Sequence, residues 1–379
     1  MTGEDSAFFM KRISRAFAFT IAMVVSTSGQ TFQSTSATRM SDNEITKQLE
    51  ALVEKAATED SFSGAVLVAK DGKAIFERAI GFANNDTKLQ NKTTTRFNLG
   101  SINKSFTSVA IAQLAQQGKL AYTDTIAKHL PDYPNKGVAE KVTIHQLLTH
   151  TSGLGDYLTR DLAAAKTLRD LLPLFVNQPL LFEPGQKQQY SNSGYVVLGL
   201  IIEKLSGRSY YDYVKENIFK PAGMTRTDSF ERDQKVADLA VGYTSMGPEG
   251  PQPGPRRPNT VTLAGKGSSA GGGYSTVEDM LKFANALNAN KLLTPEFTEI
   301  VFSGGGAQRP PGAGRGGYGF MQNQANGIRV VGNGGGGPGV NAMFRIYFGR
   351  GYTVIVLSNY DPPSAERIAG KINEMVTAN

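Results

Sequence analysis

The 379-residue chain contains no cysteine and only three histidines, His129, His145 and His150. Without cysteine there can be no disulfide, no thiolate metal site and no lipid anchor on a cysteine. Three histidines leave little material for a metal site. His145 and His150 are five apart, off the i,i+4 spacing that shares a helical face, and no acidic residue lies between them. Both read as structural, and neither a metal nor another cofactor is expected. Dense Lys/Arg runs are also missing, Arg256-Arg257 being the best cluster. The net charge of +7 therefore reads as a solvated basic surface, and no nucleic-acid partner is expected. The apolar run at residues 16–25 is too short to span a bilayer as a helix.

That run has another reading. Lys11, Arg12 and Arg15 precede it, and Ser26-Thr27-Ser28-Gly29 follows with small side chains. A basic start, an apolar centre and a small-residue end describe a signal peptide over residues 1–29, with Met10 a better initiator than Met1. The expected location is secreted or periplasmic, with no stable membrane span after cleavage. Without that segment, which carries three basic and two acidic residues, the charge is about +6. Residues 30–40 read as a linker and 41–379 as the folded part. The hydrophobic share of 40% and charged share of 19% are ordinary for a chain that buries a core. The 42 glycines are more than usual and cluster in loops late in the chain.

Ile45, Leu49, Leu52, Val53 and Ala56 recur at helical spacing behind a Ser41/Asp42 cap. Residues 64–69 and 74–81 read as two strands joined through Asp71-Gly72, a strong hairpin signal. A helix is expected to begin near Ser101, with Phe106, Val109, Ala110 and Leu114 on one face, and further helices at 196–205 and 277–287. Residues 246–273 and 303–319, rich in Gly and Pro, read as long loops. Strand signals return at 328–331, 343–348 and 352–357, and Ser364 is expected to cap a last helix. The fold class is α+β, an α/β sandwich. One antiparallel sheet is built from both chain ends (41–100 and 270–379), with a helical insertion at 101–269 and the site at the seam.

The chemistry centres on Ser101 and Lys104, one helical turn apart and hence on one face. A serine hydroxyl is a poor nucleophile until a neighbour takes its proton, and a lysine does that once desolvation lowers its pKa. Tyr190 offers a second proton-handling group, and Asn192 could hold Lys104 and a substrate carbonyl. Gly267-Ser268-Ser269-Ala270-Gly271 matches the nucleophile-elbow pattern, which needs a later histidine that this chain lacks. It reads as a flexible loop. Gly332, Gly334 and Gly337 match a dinucleotide fingerprint in spacing, but Pro338 stands where a helix should begin. The run Asn333-Gly334-Gly335-Gly336 instead offers an edge along which a substrate could lie. The N–H groups of Gly336 and Ser101 would then form an oxyanion hole.

Together these residues resemble the serine β-lactamase and penicillin-binding-protein superfamily, in particular its class C-like β-lactamase-related hydrolases and esterases. The likeness runs from about Phe62 to Tyr360. It includes Thr143-Ile144-His145-Gln146-Leu147-Leu148-Thr149-His150-Thr151-Ser152-Gly153-Leu154, Phe182-Glu183-Pro184-Gly185 and Tyr190-Ser191-Asn192-Ser193-Gly194-Tyr195. Phe219-Lys220-Pro221-Ala222-Gly223-Met224 and Gly271-Gly272-Gly273-Tyr274-Ser275-Thr276 continue it. The resemblance implies a sheet flanked by terminal helices and an all-helical subdomain. It also implies Ser101 as nucleophile, Lys104 and Tyr190 as proton-transfer groups and Asn192 as a polar positioner.

Two positions depart from the family pattern. Asn333-Gly334-Gly335 stands where Lys-Thr-Gly or His-x-Gly is usual, and Asn103 replaces a smaller Thr or Ser. Asn333 carries no charge, so anionic β-lactams and acyl-D-Ala peptides are expected to bind weakly, with neutral esters or amides favoured. Arg345, on a nearby strand, is a candidate for the missing charge. The function expected is an exported esterase-type hydrolase of small ester, amide or peptide-like substrates. A D-amino-acid peptidase or β-lactamase, and a non-catalytic module binding peptidoglycan-like ligands, are the alternatives.

Overall fold

The computed structural model describes residues 40–157, 162–247, 250–305 and 316–378. The expected signal peptide, 1–29, and residues 30–39 of the expected linker lie outside the described residues. Ser41 opens α1 (Asp42–Thr58) with a reciprocal capping box to Glu44. Strands β1 (Gly64–Lys70) and β2 (Lys73–Ile80) form the expected hairpin. Then follow α2 (Asn103–Gln116), α3 (Asn192–Ser206), α4 (Val277–Asn288) and α5 (Pro295–Ser303). The chain returns to the sheet through β3 (Met321–Ala325), β4 (Ile328–Gly337), β5 (Val340–Tyr347) and β6 (Tyr352–Ser358), and ends in α6 (Ser364–Thr377).

The six strands form one antiparallel sheet in the order β3-β4-β5-β6-β1-β2. Both chain ends supply it, as expected. Strand periodicity divides its side chains between two cores. Val66, Val68, Met343, Val354 and Val356 face α1 and α6, whose Leu49, Val53, Ile368 and Ile372 are buried there. Ala65, Leu67, Phe344, Ile355 and Leu357 face the helices inserted between the sheet's two halves. Each fully buried Val, Leu or Ile contributes about 1.5–3 kcal/mol. β6 is buried along its whole length, which explains why its sequence shows no alternation.

The helix expected near Ser101 is present, a single 3-10 turn, Gly100–Ile102, carrying Ser101 into α2. Three other expectations need correction. β4 runs on to Gly337, because the glycine run pairs residue by residue with β5 despite glycine's low strand propensity. Ser364 is the first residue of α6 rather than its cap, its hydroxyl donating to Ser358 Oγ. Arg345 faces the α1/α6 side, in step with Met343 and Tyr347, and donates to Ala369 O at 3.3 Å. Since Asn333 pairs with Phe344, it lies on the opposite face, and Arg345 cannot supply the charge that position 333 lacks.

Candidate active site

α2 runs through the inserted region with residues 103–114 buried, so whatever stands at its first turn is held rigidly. Ser101 and Lys104 stand there. Tyr190 comes from the segment entering α3, just before the N-cap Ser191, whose Oγ accepts from Gly194 N at 3.3 Å. Asn192 is the first residue of α3. The fold thus brings four distant residues together. Ser101 Oγ lies 2.5 Å from Tyr190 OH and 3.2 Å from Lys104 Nζ. Lys104 Nζ also reaches Asn192 Oδ1 at 2.7 Å and the carbonyl of Ala270.

Lys104 is 2% exposed, and burial lowers its pKa to about 7, against a smaller opposing pull from Asp156. Asp156 orients the cluster: its Oδ2 accepts from Asn192 Nδ2 at 2.8 Å and from Asn192 N at 3.2 Å. That bond fixes the amide with Oδ1 towards the lysine. The two acceptors Asn192 Oδ1 and Ala270 O cannot donate. An ammonium at Lys104 therefore donates to all three neighbours, whereas a neutral amine gives its two N–H groups to those acceptors. Its lone pair is then left for the Ser101 hydroxyl. Tyr190 has half its surface in solvent, yet burial about its inner end raises its pKa to about 12; the Ser101 hydrogen bond opposes this and Asp156 adds to it. At neutral pH the phenol keeps its proton.

His150 templates the tyrosine. Its backbone takes the left-handed φ of 59°, its carbonyl accepts from Gln189 N at 2.9 Å, and Nδ1 accepts from Ser191 N at 3.2 Å. Its ring lies 4.6 Å from that of Tyr190. The residue expected to be merely structural thus grips both neighbours of Tyr190 and its ring. His129 and His145 serve elsewhere, at Asp124 Oδ2 (2.9 Å) and Tyr318 OH (2.8 Å). Among the described residues no group of three or more His, Asp or Glu could hold a metal ion.

Residues 267–273 are a pinned turn rather than a flexible loop. Ser268 N donates to Gly271 O (2.7 Å), Gly272 N to Gly100 O (3.2 Å) and Leu99 N to Gly273 O (2.8 Å). Ser269 is fully buried, so it offers no exposed nucleophile. Asn103 fits beside this turn, donating to Ser268 O at 3.1 Å, because Gly273 has no Cβ; one would sit 2.7 Å from the Asn103 amide. On the other flank β4 presses against the serine turn. A Cβ on Gly335 would lie 2.0 Å from Leu99 O and 3.0 Å from Ser101 N. Only glycine permits this approach. Ser101, Asn192 and Gly336 line a cleft of about 530 Å³, with apolar walls from Tyr157, Leu171 and Phe230.

Asn333 does not present its amide to that cleft's substrate space. Its Nδ2 is directed at Gly319 O (2.8 Å), Ser105 Oγ (3.2 Å) and Ser101 O (3.4 Å), while Oδ1 accepts from Gly334 N at 2.8 Å. The side chain ties β4 to the start of α2. Asn333→Ala is therefore expected to destabilise the fold by about 0.5–1.5 kcal/mol, the net worth of a lost hydrogen bond, since Gly319 O keeps the Ser105 hydroxyl as a donor at 2.7 Å. Relative rates on neutral and carboxylate-bearing esters should not change. Urea unfolding and paired-substrate assays check both parts.

Known proteins resemble this chain over most of its length. Residues 49–378 match the family model described as Beta-lactamase. Penicillin-binding protein 4* of Bacillus subtilis (strain 168) is 33% identical over 336 residues, 83% of this chain and 71% of that protein. The penicillin-binding protein of Bacillus halodurans has a similar structure, with TM-score 0.75 and 32% identity over 85% of this chain and 98% of that one. A D-stereospecific amidohydrolase from Streptomyces sp. superimposes with TM-score 0.70 and 25% identity, over 88% and 98% of the two chains.

Proposed function

The chain belongs to the β-lactamase family of serine hydrolases, and from that premise we propose that it is an exported enzyme cleaving ester or amide bonds through an acyl-enzyme on Ser101. The observation that carries this is the amine of Lys104, held by two pure acceptors with its third direction on the Ser101 hydroxyl. Ser101 Oγ attacks the carbonyl carbon as its proton passes to Lys104 Nζ, and the developing oxyanion is met by the N–H groups of Ser101 and Gly336. Tyr190, 2.5 Å from the nucleophile, delivers a proton to the departing alcohol or amine and recovers one from Lys104. Water then adds to the acyl-enzyme by the same route in reverse, releasing the acid and restoring the serine. Asn192 holds Lys104 and is placed to meet the substrate at the cleft wall.

No cation stands at position 333, so the strand edge beside Ser101 offers no charge to a carboxylate next to the bond that is cleaved. A second reading, cleavage of D-amino-acid peptides or β-lactam rings, is favoured by what the relatives are named for: penicillin binding and D-stereospecific amide hydrolysis. A serine-directed phosphonate should add its mass once per chain, map to the peptide carrying Ser101, and abolish cleavage of a chromogenic short-chain ester. The same intact mass reads whether residues 1–29 are gone from the exported protein. A stable mass adduct with a β-lactam would favour the second reading. Ser101→Ala cleaving the ester as fast as wild type would show that Ser101 is not the nucleophile and sink both, whereas a wild type that neither cleaves the ester nor takes the label would leave a non-catalytic binding module.

A further inference from the structure

We propose that the cleft wall formed by Arg232 and Lys266 is a subsite for a substrate carboxylate remote from the bond that is cleaved; this rests on Ser101 as the nucleophile. Both residues line the same cleft as Ser101 and both are half-buried. They come from the two strands of one short ladder, in which Arg232 N donates to Gly265 O at 2.8 Å and Glu231 stands opposite Lys266. Lys266 begins the stem whose turn, at Gly271 and Gly272, packs against Gly100 and Ser101. A ligand reaching from the serine along that stem meets the two cations.

The charges around this wall leave it positive. Glu231 also lines the cleft, but Lys166 holds its Oε2 at 2.6 Å and, chiefly through that hydrogen bond, keeps its carboxyl below the usual range. Arg232 has one long contact of 3.4 Å to Asp233, whose side chain is 84% exposed, so water and salt screen that pair. Lys266 Nζ rests 4.0 Å above the Tyr211 ring and shares the Glu231 carboxylate with Lys166, so one negative charge there faces two positive ones. Tyr157, Leu162, Phe230 and Tyr274 supply an apolar bed in the same cleft, where a charge-assisted hydrogen bond is worth more than in open water. The fitting ligand has an apolar body with a carboxylate at its far end. Family members with a cation at position 333 hold charge at the strand edge; here the charge lies on a different wall.

The test uses two esters with the same alcohol and the same aromatic acyl body, one ending in a carboxylate and the other in a carboxamide. Wild type should favour the carboxylate ester by about tenfold in kcat/KM, mainly through KM, and the preference should shrink as salt rises. Arg232→Gln with Lys266→Gln should erase that preference while neutral-ester kcat/KM stays within about twofold, since neither side chain touches the reacting atoms. An unreactive ether analogue of the carboxylate ester, titrated calorimetrically, should bind wild type about tenfold more tightly than the double variant. Equal rates on the two esters in wild type, or a preference that survives the double substitution, would overturn the subsite. Loss of the nucleophile assignment would show separately, as Ser101→Ala hydrolysing both esters, with ether binding still reporting on the wall.

Discussion

Lys104→Met is expected to lower kcat for ester hydrolysis by about 10²–10⁴-fold, the range of a positioned general base, with KM little changed. Lys104→Arg should be equally poor, since a guanidinium cannot lose its proton at working pH. The wild-type rate should rise with pH through about 7, where burial has brought the Lys104 pKa, because the neutral amine is the form that accepts the serine proton. The same shift bears on stability. Between about pH 7 and lysine's ordinary 10.5 the unfolded chain binds a proton at this position that the folded chain has lost. Unfolding then takes up a proton, so stability rises with pH across that window. Lys104→Met should lack this rise. Rate profiles and urea unfolding at several pH values check the two slopes, and an active Lys104→Arg enzyme would refute the assignment.

The sheet and its flanking helices were legible because their signals are local. The Asp71-Gly72 hairpin, the helical spacing of Ile45, Leu49 and Val53, and the apolar run of β6 each act within a few residues. β3 carries no strand signal in its sequence because Met321–Ala325 is an edge strand of mostly polar residues that pairs with β4 through its backbone and one side-chain bond, Arg329 Nε to Gln322 Oε1 at 3.0 Å. The continuation of β4 through its glycines is likewise a tertiary effect. Glycine's weak propensity is overridden where backbone must pass within contact of Leu99 and Ser101.

In the site, Ser101, Lys104, Tyr190 and Asn192 could be named from the Ser-x-x-Lys spacing together with the family resemblance, and they meet in space. What tunes them carried no sequence mark. Asp156, which sets the Asn192 amide, stands 36 residues upstream with nothing local to distinguish it. Ala270 contributes only a carbonyl, and any residue has one. Asn333 was misjudged because its position in a motif says where its backbone goes, whereas its short side chain turns back onto Gly319 and the first turn of α2. For Arg345 a side-chain period of two decides the matter, since residues adjacent along a strand face opposite cores.

Tyr190→Phe is expected to reduce kcat by about 10²-fold, the lower part of the range for a positioned acid, and most for esters whose alcohol leaves poorly. Its pKa near 12 keeps the phenol protonated through the working range, so the rate should stay flat from about pH 8 to 11 rather than fall as a free tyrosine ionises. The hydroxyl acts only if it stays 2.5 Å from Ser101 Oγ, and His150 is the residue that holds it there. His150→Leu keeps bulk but removes the acceptor for Ser191 N–H and disfavours the left-handed backbone; kcat should fall by about tenfold. His150→Asn keeps a nearby acceptor and tolerates positive φ, so it should recover most of the rate despite being smaller. If packing alone mattered the order would invert, with Leu the better substitute. Comparing kcat for the two variants on one poor-leaving-group ester therefore separates a hydrogen-bonded template from a filler of space.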